Sequence, residues 1–71
     1  MKNEKLRLVL VAYNECDVVV FSKSEKMLFK GNGQNLLSML GAGYYADKKV
    51  KEIFEYQDEN GIITSVDLIL K

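Results

Sequence analysis

The sequence predicts a small α+β domain: an antiparallel sheet with one short helix packed on one face, in the order β-β-β-α-β-β. Three observations lead there. The run Ile62 to Lys71 alternates apolar and polar residues after the turn Asp58-Glu59-Asn60-Gly61. Two runs rich in β-branched residues, Leu6 to Tyr13 and Val18 to Phe21, lie close together near the start of the chain. Between these regions, Leu36, Leu37 and Leu40 form a one-sided stripe behind a glycine-rich break.

Residues 1–5 are polar and are expected to fray. Leu6 to Tyr13 reads as a first strand and Val18 to Phe21 as a second, joined by the turn Asn14-Glu15-Cys16-Asp17. Met27 to Lys30 makes a short third strand. Gly31-Asn32-Gly33 breaks it, and Asn32 is placed to cap a helix over about residues 33–41. Gly41 or Gly43 ends that helix. Lys48 to Gln57 fits both helix and strand, but the strand after it needs a hairpin partner. A three-residue loop, Glu59-Asn60-Gly61, with Gly61 left-handed, pairs Val50 with Leu70, Glu52 with Leu68, Phe54 with Val66 and Tyr56 with Thr64. That register gathers Phe54, Tyr56, Val66 and Leu68 on one face; a slip of one residue mixes polar and apolar groups.

Composition narrows the function. The chain has 71 residues, one domain's worth, with ten basic and ten acidic side chains. It has no His, which removes the commonest general base and metal ligand. One Cys excludes an intrachain disulfide and multi-cysteine zinc sites. Cys16 lies between Glu15 and Asp17, an environment that disfavours a reactive thiolate. Zero net charge and a pI near 6.2 argue against nucleic-acid binding. Arg7 interrupts the only apolar run near the N-terminus, and no cleavage pattern follows it, so no signal peptide, no membrane span and a cytoplasmic location are expected. Lys, Asn and Ile are frequent, Arg occurs only as Arg7 and Pro is absent. Such A/T-rich codon usage, with the chain's size, suits an accessory protein of a low-GC bacterium, phage or mobile element.

The feature that points outward is the first predicted hairpin, apolar on both faces. One helix covers one face, which leaves Val9, Val11, Tyr13, Val19 and Phe21 for a partner or a second copy. The expected function is a non-enzymatic interaction module, oligomeric, that binds or inhibits a protein, with no cofactor. The alternative is a small-ligand or nucleotide site at the helix N-terminus. There the amides of Gly33, Gln34 and Asn35 would face an anion, Lys30 would supply counter-charge, and Tyr44 or Tyr45 would stack. The simpler reading of the same residues, and the favoured one, is a strand exit, a helix cap and one core tyrosine beside one surface tyrosine. Lys49, Lys51 and Lys71, set against Glu55, Asp58 and Glu59 at the hairpin tip, read as a solvated mixed-charge face or a dipolar surface that steers a protein partner.

Overall fold

A computed structural model describes residues 1–71. In chain order the elements are α1 (Leu6–Ala12), β1 (Asp17–Phe21), β2 (Met27–Asn32), α2 (Gly33–Leu40), a 3-10 turn (Tyr44–Asp47), β3 (Val50–Gln57) and β4 (Ile63–Leu70). The α+β class is as expected; the sheet is mixed and there are two helices. Its strand order is β2-β1-β4-β3. The two hairpins are antiparallel and meet at the centre, where β1 and β4 run parallel.

The main correction concerns Leu6 to Tyr13, which is a helix, not a strand. Leu6, Val9 and Leu10 are fully buried, while Leu8 and Val11 are about half exposed. Spacings of three and four residues put Leu6, Val9, Leu10 and Tyr13 on one helical face. As a strand, the run would mix buried and exposed positions on each face. Seven residues do not hold a helix unaided. Here the Leu6 amide donates to the Lys48 carbonyl (2.8 Å), and Asp47 sits beside Arg7 (2.9 Å) and Lys5 (3.7 Å) near the helix start. A carboxylate there complements the positive end of the helix dipole, although each exposed ion pair contributes little alone. The principal stabilisation is burial of Leu6, Val9 and Leu10 against the sheet.

Residues 1–5 are also tied down rather than frayed. The Asn3 amide donates to Val50 O (2.7 Å), and the Val50 amide donates to Glu4 O (2.9 Å).

Elsewhere the local signals hold. Asn32 caps α2, its side-chain oxygen accepting from the Gln34 amide at 2.9 Å. Gly41 follows the last turn at φ 52°, the left-handed region that glycine enters without strain. Gly61 sits at φ 80° in the β3–β4 loop, and the Asp58 amide donates to Ile62 O (2.9 Å) across it. The three-residue loop is therefore present, and Val50 pairs with Leu70 as expected.

The pairing between these points differs. Register shifts near each end slide the middle of the hairpin by one residue, so Phe54 opposes Asp67, Glu55 opposes Val66 and Tyr56 opposes Ser65. Thr64 and Lys51 are the extra residues at the two bulges. The expected pairs Phe54–Val66, Glu52–Leu68 and Tyr56–Thr64 are not formed. The physical reason is that Ile53, rather than Phe54, turns toward the core opposite Leu68.

The core lies between the sheet and the helices: Val18 and Val20 of β1, Val66, Leu68 and Leu70 of β4, and Val50, covered by Leu6, Val9 and Leu10 of α1 and Leu36 of α2. No helix is long and apolar enough to cross a membrane.

The helical assignment of α1 has a direct test. Leu8 and Leu10 would share a face in a strand. In the helix, Leu10→Ala is expected to cost about 2–5 kcal/mol and Leu8→Ala less than about 1 kcal/mol in urea unfolding. Equal losses would contradict the helix.

Candidate functional site

Both helices and the 3-10 turn pack on the same side of the sheet, so its other face has no covering element. Strand registers set out that face row by row. Met27, Phe21, Ile69 and Glu52 lie across the four strands in one row; Lys30, Val19, Asp67 and Phe54 form the next; Asn32, Asp17, Ser65 and Tyr56 the third. Six of these side chains are apolar or aromatic. Met27, Phe54 and Tyr56 are each about half exposed. A half-solvated antiparallel face normally alternates toward polar residues. Here the β-branched and aromatic positions of β1, β3 and β4 continue the apolar character on the open side.

Near its centre the face dips into a shallow depression of about 270 Å³, lined by Phe21, Glu25, Phe54, Tyr56, Asp67 and Ile69. The Tyr56 hydroxyl donates to the Asp67 carboxylate at 2.9 Å. That bond to an anion, and the charge beside it, push the Tyr56 phenol above its ordinary pKa. Lys30 stands toward the β2 edge, while Glu52 and Asp67 lie toward the β3 side. Lys30 is the one cation of these rows; Asp17 and Asp67 lie between it and Glu52, which pairs with Lys2 at 3.4 Å.

On the helix side, Tyr13 at the end of α1 donates to Glu55 of β3 at 2.6 Å. Burial comes first among the causes that push the Tyr13 phenol up to about 12, followed by the bond to the Glu55 carboxylate and its charge. This bond ties the end of α1 to the sheet.

The residues singled out from sequence fall in several places. Val19 and Phe21 lie on the open sheet face. Val9 does not reach a surface: it is fully buried in the core. Val11 is exposed, but on the outer side of α1, and Tyr13 is taken up by Glu55. The group expected to bind an anion is not assembled as such. The Gly33 amide donates to Cys16 O (2.9 Å) and the Gln34 amide to Asn14 O (2.9 Å), so two of its three donors already have partners. Lys30 lies on the sheet face opposite to α2. Gln34 and Asn35 are exposed at the start of α2. Tyr45 packs against the core edge-on to Phe29, with ring centres 5.1 Å apart, and Tyr44 stands outside it.

Gly33 is needed for packing. A Cβ there would come within 2.2 Å of Tyr13 O and 2.9 Å of Asn14 Cα, backbone atoms that cannot swing aside. The glycine thus lets α2 start directly against the end of α1.

Sequence reasoning missed Met27, Phe54, Tyr56 and Ile69 as members of the open face. The available signal was Ile69, an apolar residue on the otherwise polar side of the second hairpin. No group of three or more His, Cys, Asp or Glu side chains is arranged to hold a metal ion. Comparison with protein-family models, curated proteins and solved structures finds no match to this chain.

Two outcomes follow. Gly33→Ala is expected to lower stability by about 3 kcal/mol, read by chemical denaturation; a neutral result would contradict the close approach. In an absorbance titration of the phenols, Tyr13 should ionise near pH 12 rather than 10. Its folded pKa is raised, so its stabilising contribution is complete below pH 10 and is lost as pH rises through about 12. Tyr13→Phe should remove that late step and the matching loss of stability.

Proposed function

We propose that this protein is a non-enzymatic interaction module that works by pairing its open sheet face with the same face of a second copy. The observation that carries the reading is the continuous apolar set Val19, Phe21, Met27, Phe54, Tyr56 and Ile69 on a face that no element of the chain covers. Such a patch on a small domain ordinarily marks an interface.

A second copy suits the face better than a partner of one charge sign. Lys30 and the Glu52–Asp67 pair lie toward opposite edges. A two-fold axis along the strands sets β2 of one copy over β3 of the other, which brings Lys30 of each copy toward Glu52 and Asp67 of the other. Two sheets packed this way sit about 10 Å apart, with their inner side chains interdigitated. The face spans only four strands. The dimer is therefore expected to be weak, with a dissociation constant on the order of micromolar.

Sedimentation equilibrium across the micromolar range tests this. The wild type should shift from 8.1 kDa toward twice that mass as concentration rises. The double substitution Phe21→Lys, Phe54→Lys should remain at the monomer mass with unchanged circular dichroism. A single 8.1 kDa species at every concentration would overturn the reading and leave the face to a different protein.

A further inference from the structure

A second cleft lies on the helix side, at the end of the sheet where parallel β1 and β4 both finish. The β1–β2 turn, the 3-10 turn and the end of β4 enclose about 260 Å³, lined by Ser22, Lys23, Leu28, Tyr44, Tyr45, Lys48, Leu70 and Lys71. Three of these residues carry ammonium groups, and none has an acidic side chain. The chain as a whole is neutral, so this surplus is a matter of placement. The open-face depression is the reverse: it is lined by Glu25 and Asp67 and by no cation.

The cleft's lysines are also unpaired. The ion pairs of the structure use Lys2, Lys5 and Arg7. Lys23, Lys48 and Lys71 take part in none of them. Clustered ammonium groups in a concave site raise the local concentration of anions.

The cleft also contains an aromatic platform. Phe29, Tyr45 and Tyr44 form a ladder from core to surface, each pair edge-on with ring centres 5.1 Å apart. The ladder gives the Tyr44 ring one edge contact, and 72% of that residue is exposed. Lys48 Nζ lies 4.8 Å from the ring centre, the geometry of a cation–π contact. An exposed ring fixed beside ammonium groups is equipped to stack on a flat ligand while the cations meet its charge. Leu28, Leu70 and Tyr45 supply apolar contact beneath it.

We infer that this cleft binds a small aromatic anion of the nucleoside mono- or diphosphate class, with Tyr44 stacking on the base and Lys23, Lys48 and Lys71 holding the phosphate. The volume falls slightly below the usual range for small-molecule pockets and suits one nucleotide rather than a dinucleotide. The inference does not rest on the pairing of sheet faces. The cleft lies on the helix side, and monomer and dimer should bind alike.

Calorimetric titration of the full chain with ADP at low salt tests it, with adenosine and pyrophosphate as separate probes. ADP should bind more tightly than either, and its affinity should fall as salt rises. Tyr44→Ala should weaken ADP about tenfold, while leaving pyrophosphate nearly unchanged. Lys48→Gln and Lys23→Gln should weaken both phosphate-bearing probes. Lys26→Gln, in the same turn but outside the cleft, should leave ADP binding as it was. Tyr44 is exposed, so its variant should fold, and circular dichroism checks this. No binding of ADP at millimolar concentration would overturn the inference. So would equal affinity for pyrophosphate and ADP, or a wild-type affinity in Tyr44→Ala. Loss of binding in Lys30→Gln with no loss in Lys48→Gln would place the anion elsewhere, and would overturn it too.

Discussion

The structure depends on the parallel contact between β1 and β4. It sets Val18 beside Val66 and Val20 beside Leu68 at the centre of the sheet, and all four side chains are withdrawn from water. Parallel neighbours cannot be joined by a tight turn, so the chain between them makes a long excursion through β2, α2, the 3-10 turn and β3. That excursion carries α2 to the same side of the sheet as α1. The central valines then need a lid, and α1 provides it with Leu6, Val9 and Leu10. At a full burial worth roughly 1.5–3 kcal/mol each, these three side chains outweigh the weak propensity of so short and valine-rich a helix.

The same arrangement accounts for the open face. With both helices committed to one side, no helix packs over Phe21, Phe54 and Ile69. The bulges at Lys51 and Thr64 contribute, because the one-residue slip between them turns Phe54 and Tyr56 outward and Ile53 inward. Two candidate surfaces follow from one topology. The sheet face is broad, with apolar and aromatic residues beside mostly acidic ones; the cleft at the sheet's end is small, basic and aromatic.

Much of the fold was legible in the sequence. Asn32, Gly41 and Gly61 each mark a local conformation that short-range chemistry fixes, and each stands where expected. The four strands were also readable, because β-branched runs and turn residues bound them. Leu6 to Tyr13 misled because valines at 9 and 11 raise strand propensity, while the run is too short for its helical period to stand out. The discriminating cue was Leu6, Val9, Leu10 and Tyr13 at helical spacing. The hairpin register misled because bulges cannot be seen in an alternation pattern: both ends of the expected register are present, and only the middle slips. The candidate sites were less legible. Val19 and Phe21 were placed on an open face for a reason that did not survive, since the hairpin thought to expose them does not exist. The Tyr44 cleft joins residues from 22 to 71, and only the folded topology brings Lys23, Lys48 and Lys71 together.

The proposed dimer sets the sheet's uncovered face against that of a second copy. A nuclear magnetic resonance dilution series from about 10 µM to about 1 mM reads that face directly, because a micromolar equilibrium shifts across the range. The Val19 and Ile69 methyl signals and the Phe21 and Phe54 ring signals should move together with concentration. The Leu8 and Val11 methyls on the outer side of α1 should stay fixed. Movement confined to α1, or none anywhere, would contradict the claim.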